Sequence, residues 1–559
     1  MAGKNWSVPT NGIEEAKCSQ CKLSDLPKQN ACPWCGGLAP YGVQSVDLPN
    51  YLQAKQVSVR ELRESGLSVA EMTYLAVGGG LGSFAWVDYL RICGTAVHDI
   101  AVVGYEPVPY GRFQRLCRHS QISDEQRIRS DSGARPDNLW GWPGYAVPEM
   151  AELLRRGKWG EAGRIAWQIF SETALADNYA PRAETVYRAL EREMRRIGWR
   201  QMFHQGEICA IRQTDDGRYV AVVMLMGERD GRTPHCFVAP YLHLALGHPA
   251  IQLSPETQVY RQSTGDCHLL VQAYEKHEHI YQQLARRGGM VILRGRGIVA
   301  SRILQRLDEI RQATGQDIQV IHLLRASLTA DTAYGRARRL TRHHWQWQPY
   351  NFPKAAFGGD LRVILEDATP ETRRELLAAW GGSTTSDRRD WQELVARGRR
   401  EGWYRLVFGE VGCVRPNGRD RLILHLQEES PLPLERRLVA DFMIDCTGLD
   451  DRLTVHPLLA DLSGRYGLRL NSSGRLEVTP DFELKQLRNG HGQVFLAGAM
   501  AFGNAYAPVD SFMGLQYAAQ RSVDVLIREN APGLRPLRGW ESARQWWRWW
   551  QGVDPTGGP

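Results

Sequence analysis

The chain has 559 residues, 43% hydrophobic and 23% charged, with a formal net charge of +7. That length exceeds one simple core, so two to four domains are expected, and the composition is that of a globular protein rather than a disordered or fibrous one. The mild positive balance is spread along the chain instead of clustered, which argues against a nucleic-acid binder and suits an anionic small ligand.

The opening MAGKNWSVPTNG lacks the basic-then-apolar layout of a secretory leader, and no run reaches the roughly 18 apolar residues of a membrane span. A membrane role is therefore not expected. The eleven cysteines are an odd number, with four packed near the start. That fits a reducing compartment with one metal site better than a disulfide framework, and the expected location is the cytoplasm.

Cys18, Cys21, Cys32 and Cys35 form two CxxC pairs in CSQCKLSDLPKQNACPWCG. Each pair converges two thiolates on one ion, and two pairs close a tetrahedral site. Residues 1–50 are read as a zinc-ribbon-like module in which the metal staples a segment too small for a core. The spacing also resembles rubredoxin, which would make the metal iron, but CSQCK lacks the glycine of CPWCG.

After a polar, proline-containing linker (38–56) a helix is expected over Val57–Ser68. MTYLAV then reads as a buried strand, GGGLG as a turn, FAWVDYLRICG as an amphipathic helix stopped by Gly94, and HDIAVVGYE as a second strand ending in an acid. Strand, glycine turn, helix, strand, acid is the layout of a dinucleotide-binding crossover. Gly78 and Gly80 permit the tight turn and close backbone approach to a pyrophosphate. Leu81 and Gly82 open the helix, Ser83 is small enough for helix–strand packing, and Glu106 can accept from a ribose.

The layout recurs at MVILRGRGIVASRILQ: a strand runs into Gly295, Gly297 and Ala300, a helix extends to about Arg311, and the strand DIQVIHLLR ends in Arg325. An acid at this place suits a free 2′-hydroxyl and an arginine a 2′-phosphate. The first unit is thus read as an FAD site and the second as an NADP site, with NAD the alternative if Arg325 is only a solvated strand end.

These residues carry a resemblance to the flavoproteins with two dinucleotide-binding domains, a superfamily that includes disulfide reductases and flavin monooxygenases. Further segments match the family's order. GEICAIRQTDDGRYVAVVMLMG and RTPHCFVAPYLHLALGHP resemble a β-meander returning into a strand that ends Ala245–Gly247. VADFMIDCTGLD resembles the second such strand end, at Cys446, Thr447 and Gly448. QVFLAGAMAFGN with GLQYAAQRSVDVLI resembles the last flavin motif, with Gly498 and Ala499 at its turn. The fold implied is α/β with two Rossmann-like domains, the FAD domain interrupted by the NAD(P) domain. The divisions expected are 70–287 and 441–530 for FAD, 288–440 for NAD(P), and 531–559 for a Trp-rich tail.

Two departures matter. Ala499 stands where many relatives have an aspartate that touches the ribityl chain, and Asp510 is either a substitute for it or a loop carboxylate on the surface. The first helix carries Cys93 alone, without the CxxxxC pair of disulfide reductases. The lone cysteine removes thiol–disulfide exchange, and through the DCTG strand end and the Arg-bearing second nucleotide unit the resemblance leans towards flavin and N-hydroxylating monooxygenases, implying hydride uptake from NAD(P)H and oxidation of a small molecule. A reductase serving a protein acceptor and a non-catalytic flavin-bound subunit remain the other readings. No catalytic acid or base is identified.

Three segments stay open. In 107–150, Arg112, Arg129, Trp140 and Trp142 either line the pocket or belong to a long surface loop. In 341–360, His343 and His344 either wall the nicotinamide or are structural. Residues 369–400 read as two helices. The tryptophans of the tail RGWESARQWWRWWQG cover a domain groove, dock onto a partner or lie at a membrane interface, with burial against this chain or a second copy the expected case; with the four-Cys module the tail is the expected place for a homo-oligomer or protein contact.

Overall fold

The computed structural model describes residues 49–557 except 129–141, 171–178, 227–233, 249, 335–336, 349–359, 381–384, 419, 428–436, 451, 454–455 and 507–508. Cys18, Cys21, Cys32 and Cys35 lie outside the described residues, as do Arg129 and Trp140.

Five parallel strands order the first unit: Gln493–Leu496, Tyr241–Leu244, Tyr74–Val77, Ile100–Gly104 and the start of Phe203–Thr214. YLAV and IAVVG are buried throughout, as expected of strands covered on both faces. One face packs a core containing Leu75, Val103 and Leu496; the other packs Tyr74, Trp86 and Phe495. The long strand Phe203–Thr214 continues into an antiparallel meander with Tyr219–Leu225 and His235–Ala239, as the resemblance implied. The helix expected over 57–68 is shorter, Val59–Glu64, and the chain then turns into an edge strand, Ser68–Glu71. Gly66, at φ +76°, makes that turn.

The second unit is a wholly parallel sheet in the order Leu270–Gln272, Phe442–Asp445, Gly289–Arg294, Ile318–Leu324, Tyr404–Phe408. Leu270–Gln272 precedes the 288 boundary drawn from the sequence and Phe442–Asp445 follows the 441 boundary; both belong to this sheet. The two connections between the sheets pair with each other, Ala250–Ile251 against Leu449–Asp450. The units also touch through Arg302, whose guanidinium donates to the Gln126 side chain and to the Arg127 carbonyl, the latter at 2.8 Å.

Between Ile100–Gly104 and Phe203–Thr214 the chain inserts helices, among them Trp142–Arg155, Trp159–Phe170 and Ala183–Arg196. The tail forms the helix Trp540–Gln551, which lies on Ala183–Arg196: the Arg192 guanidinium sits 5.3 Å from the Trp549 ring centroid and donates to the Trp549 carbonyl. Trp549 is buried, whereas Trp540 and Trp547 are exposed. Among the described residues no helix is long and apolar enough to cross a membrane.

Candidate functional site

The first glycine turn is built by exclusion of side chains. Gly78 sits at φ +105°, and a Cβ there would lie 2.4 Å from the Ala245 carbonyl oxygen; one on Gly104 would lie 2.3 Å from the Gly79 nitrogen. Three backbone segments thus touch where the strands Tyr74–Val77, Ile100–Gly104 and Tyr241–Leu244 end. Gly80 differs: a Cβ would meet no atom within 4 Å. It is the N-cap of the helix Leu81–Ile92, and no side chain caps that end. The amides of the first turn are therefore left to an external acceptor, with the helix dipole favouring an anion.

Gly80 borders a cavity of about 280 Å³. Gly78, Leu81, Gly82, Glu106, Gly498 and Ala499 line it too, so the structure brings these residues to one place. Ser83 is fully buried beneath the turn. Glu106 pairs with Arg115. Arg112, from the open segment 107–150, also lines the cavity, on the helix Gly111–His119.

Besides Glu106 and Arg112, four lining groups carry charge or can gain it. Burial raises the Glu207 carboxyl above its ordinary range. Burial, with the Arg112 charge adding, lowers His456 to about 4. Partial desolvation acts to raise Asp510, whose side chain is half exposed, but its hydrogen bond and charge interaction with His248 outweigh this and leave it below the usual range. The His248 Nε2–Asp510 Oδ2 separation is 3.5 Å. His248 and His456 were not among the residues singled out in the sequence. The signal available was position, since His248 directly follows the strand end Ala245–Gly247.

The second turn repeats the construction. Gly295, at φ +116°, would place a Cβ 2.8 Å from the Cys446 carbonyl oxygen, so the CTG strand end packs on this turn as Ala245 does on the first. Gly297 caps the helix Ile298–Thr314 without a side chain, and Ala300 is fully buried against the sheet. Arg325 follows the strand Ile318–Leu324; its side chain is 83% exposed, 3.9 Å from Glu410. Arg296, inside the turn, donates to the Ala326 carbonyl, and burial followed by the Arg325 charge lowers its pKa. Two guanidinium groups that repel each other at a turn of uncapped amides make an anion-accepting surface.

Behind this turn lies a buried network that the sequence reading did not single out. His322 Nε2 is hydrogen-bonded to the Gly295 carbonyl and Nδ1, at 2.8 Å, to the Tyr404 hydroxyl, which accepts from Trp345 Nε1 at 2.8 Å. A carbonyl only accepts, so Nε2 carries the hydrogen and Tyr404 donates to Nδ1. Burial lowers His322 to about 4, keeping it neutral.

His343 and His344 form the two-residue turn between the strands Ala337–Arg342 and Trp345–Gln348, at φ +53° and +64°. His344 Nδ1 contacts Ser327 Oγ at 2.8 Å and His343 Nδ1 contacts Arg399 at 3.1 Å. Both rings stand at the tip of this hairpin. Among the described residues no group of three or more His, Cys, Asp or Glu side chains is placed to hold a metal, and the described cysteines are free.

No protein-family model matches the chain and no curated protein matches it in sequence. Solved structures do match in fold. An ornithine hydroxylase from Pseudomonas aeruginosa aligns over 82% of this chain and 100% of its own at 13% identity, TM-score 0.56. An ornithine N-hydroxylase from Kutzneria sp. 744, solved with reduced FAD, NADP+ and L-ornithine, aligns over 82% and 100% at 14% identity, TM-score 0.55. A cadaverine monooxygenase from Erwinia amylovora, solved with FAD, aligns over 84% and 97% at 12% identity, TM-score 0.58. At these identities the likeness is one of fold: this chain has the α/β architecture of two Rossmann-like units that those structures share.

Proposed function

We propose that this protein is an FAD-dependent oxidoreductase of monooxygenase type that draws hydride from NADPH and oxidises a small molecule. The observation that carries the reading is the pair of glycine turns, each ending a buried parallel strand and opening an uncapped helix. The residues of the first turn fit FAD: the space a Gly80 Cβ would fill is open, and the adjoining cavity reaches from the helix start to Glu106. The amides at Gly80–Ser83 would hold its diphosphate and Glu106 a ribose hydroxyl. In the second unit the amides at Gly295–Val299 would hold the NADPH diphosphate, and Arg325 with Arg296 the 2′-phosphate. When bound, FAD supplies the two-electron chemistry and NADPH the hydride. The protein's part is to bind and orient both dinucleotides and shield the cavity from water.

The three structural neighbours are named for ornithine or cadaverine, so small primary amines are the first substrates to test. We place the division between the units at the paired connections near 250 and 449, and residues 1–50 as the metal-binding module. The experiment is NADPH oxidation by the FAD-loaded protein, with and without ornithine, lysine and cadaverine, alongside product analysis for a hydroxylated amine. Hydroxylated product from any of them supports the reading. NADPH consumption that yields only peroxide, for these and a wider amine panel, counts against the monooxygenase assignment.

A further inference from the structure

The two glycine turns differ at one buried position. In each, the amide of the leading glycine donates to the neighbouring strand: Gly78 to the Val103 carbonyl at 2.8 Å, Gly295 to the Leu323 carbonyl at 3.3 Å. The residue before that acceptor is Val102 in the first unit and His322 in the second, and both are fully buried. A valine offers the glycine carbonyl no hydrogen bond. His322 Nε2 donates to the Gly295 carbonyl, so the second turn's leading glycine is held at its N–H and at its C=O. The ring is held from behind as well: Nδ1 accepts from the Tyr404 hydroxyl at 2.8 Å, and Trp345 Nε1 donates to that hydroxyl at 2.8 Å. An indole N–H only donates and a carbonyl only accepts, so the two ends fix the direction of every hydrogen bond between them.

The consequence falls on the next peptide. The Gly295–Arg296 unit is planar and trans, so its N–H points opposite to its C=O. With the carbonyl turned to His322, the Arg296 amide faces away from the histidine. It has no acceptor among the described residues, and neither do the amides of Gly297 and Ile298 that follow it. Three consecutive N–H groups therefore stay open where a helix begins without a side-chain cap, an arrangement that accepts an anion. We infer that His322 is a positioning residue for the second dinucleotide: by pinning the Gly295 carbonyl it aims the Arg296 amide at the diphosphate of NADPH, and Tyr404 with Trp345 keeps it in place. This rests on the proposed NADPH site and adds residues that lie behind the glycine motif and touch no ligand. The first turn, with Val102 at this place, has no such brace.

The test measures dissociation constants for NADP+ and for adenosine 2′-phosphate by equilibrium dialysis on the full chain with FAD present, for wild type, His322→Val and Tyr404→Phe. The valine copies the first unit's residue. Adenosine 2′-phosphate keeps the base and the 2′-phosphate but lacks the diphosphate. The expected result is a rise in the NADP+ constant of roughly tenfold or more for His322→Val and about threefold or more for Tyr404→Phe, as for a weakened hydrogen bond to a charged group. The adenosine 2′-phosphate constant is expected to stay within about twofold of wild type in both. Tyr404→Phe removes only a hydroxyl and keeps the test valid if His322→Val folds poorly. An NADP+ constant within about twofold of wild type in the variants that fold overturns the role. So does an equal loss for both ligands, because the network would then support the whole unit rather than aim one amide. A wild-type chain that binds neither ligand overturns the NADPH reading itself, a result distinct from variants that match a binding wild type.

Discussion

Gly78 and Gly80, two residues apart in one turn, are expected to fail in opposite ways when replaced by alanine. In Gly78→Ala the new methyl would sit 2.4 Å from the Ala245 carbonyl oxygen, on a backbone at φ +105°. Strain at such a dihedral costs about 1–3 kcal/mol, and overpacking against a neighbouring strand about as much again. The apoprotein should lose roughly 2–6 kcal/mol. In Gly80→Ala the methyl meets nothing in the protein, and the poorer N-cap costs at most about 1 kcal/mol. Its Cβ instead enters the space where a diphosphate would approach the amides. Loss of one or two hydrogen bonds to a charged group, about 1.5–3 kcal/mol each, weakens FAD binding by roughly tenfold to twenty-thousandfold. Urea unfolding of the apoproteins reads the first effect and equilibrium dialysis of FAD the second. Wild-type FAD affinity in Gly80→Ala, or equal destabilisation of both variants, refutes the reasoning.

Acid should unfold the protein early. Burial lowers His243 to about 3 and His277, His322 and His456 to about 4. The folded state keeps these rings neutral while the unfolded chain takes up protons below about pH 6.5. The stability they contribute is therefore complete above that pH and is lost as pH falls towards 4, by about 2 kcal/mol per ring between pH 7 and 5. A pH series of urea midpoints that stays flat over this range contradicts it. Arg325→Ala should raise KM for NADPH more than for NADH, and equal changes remove the 2′-phosphate role. Asp554→Ala should cost about 2–4 kcal/mol in apoprotein stability, because it leaves the Arg91 guanidinium buried without its carboxylate. An unfolding midpoint unchanged from wild type shows that the tail contact is not structural.

The parallel strands and their glycine turns were legible in the sequence because backbone-to-backbone contact at Gly78 and Gly295 admits no side chain, and fully buried strands such as YLAV read as apolar runs. Of the cavity's other wall, Asp510 was legible as a candidate near the last flavin motif and His248 was not. His248 comes from a distant segment and meets it only through the sheet order. His322 in IQVIHLL looks like an ordinary core residue until Tyr404 and Gly295 are placed around it. The hairpin role of His343 and His344 depends on two positive dihedrals that their aromatic neighbours conceal. The Trp-rich tail was ambiguous for a related reason: only docking on Ala183–Arg196 shows which of its rings is covered.

The most direct measurement is anaerobic addition of NADPH to the FAD-reconstituted chain while its visible absorbance is followed. If the two turns bring the two dinucleotides together, the chain is yellow with stoichiometric FAD and NADPH bleaches it. A chain that stays colourless with added FAD, or a yellow one that NADPH leaves unbleached, contradicts the account.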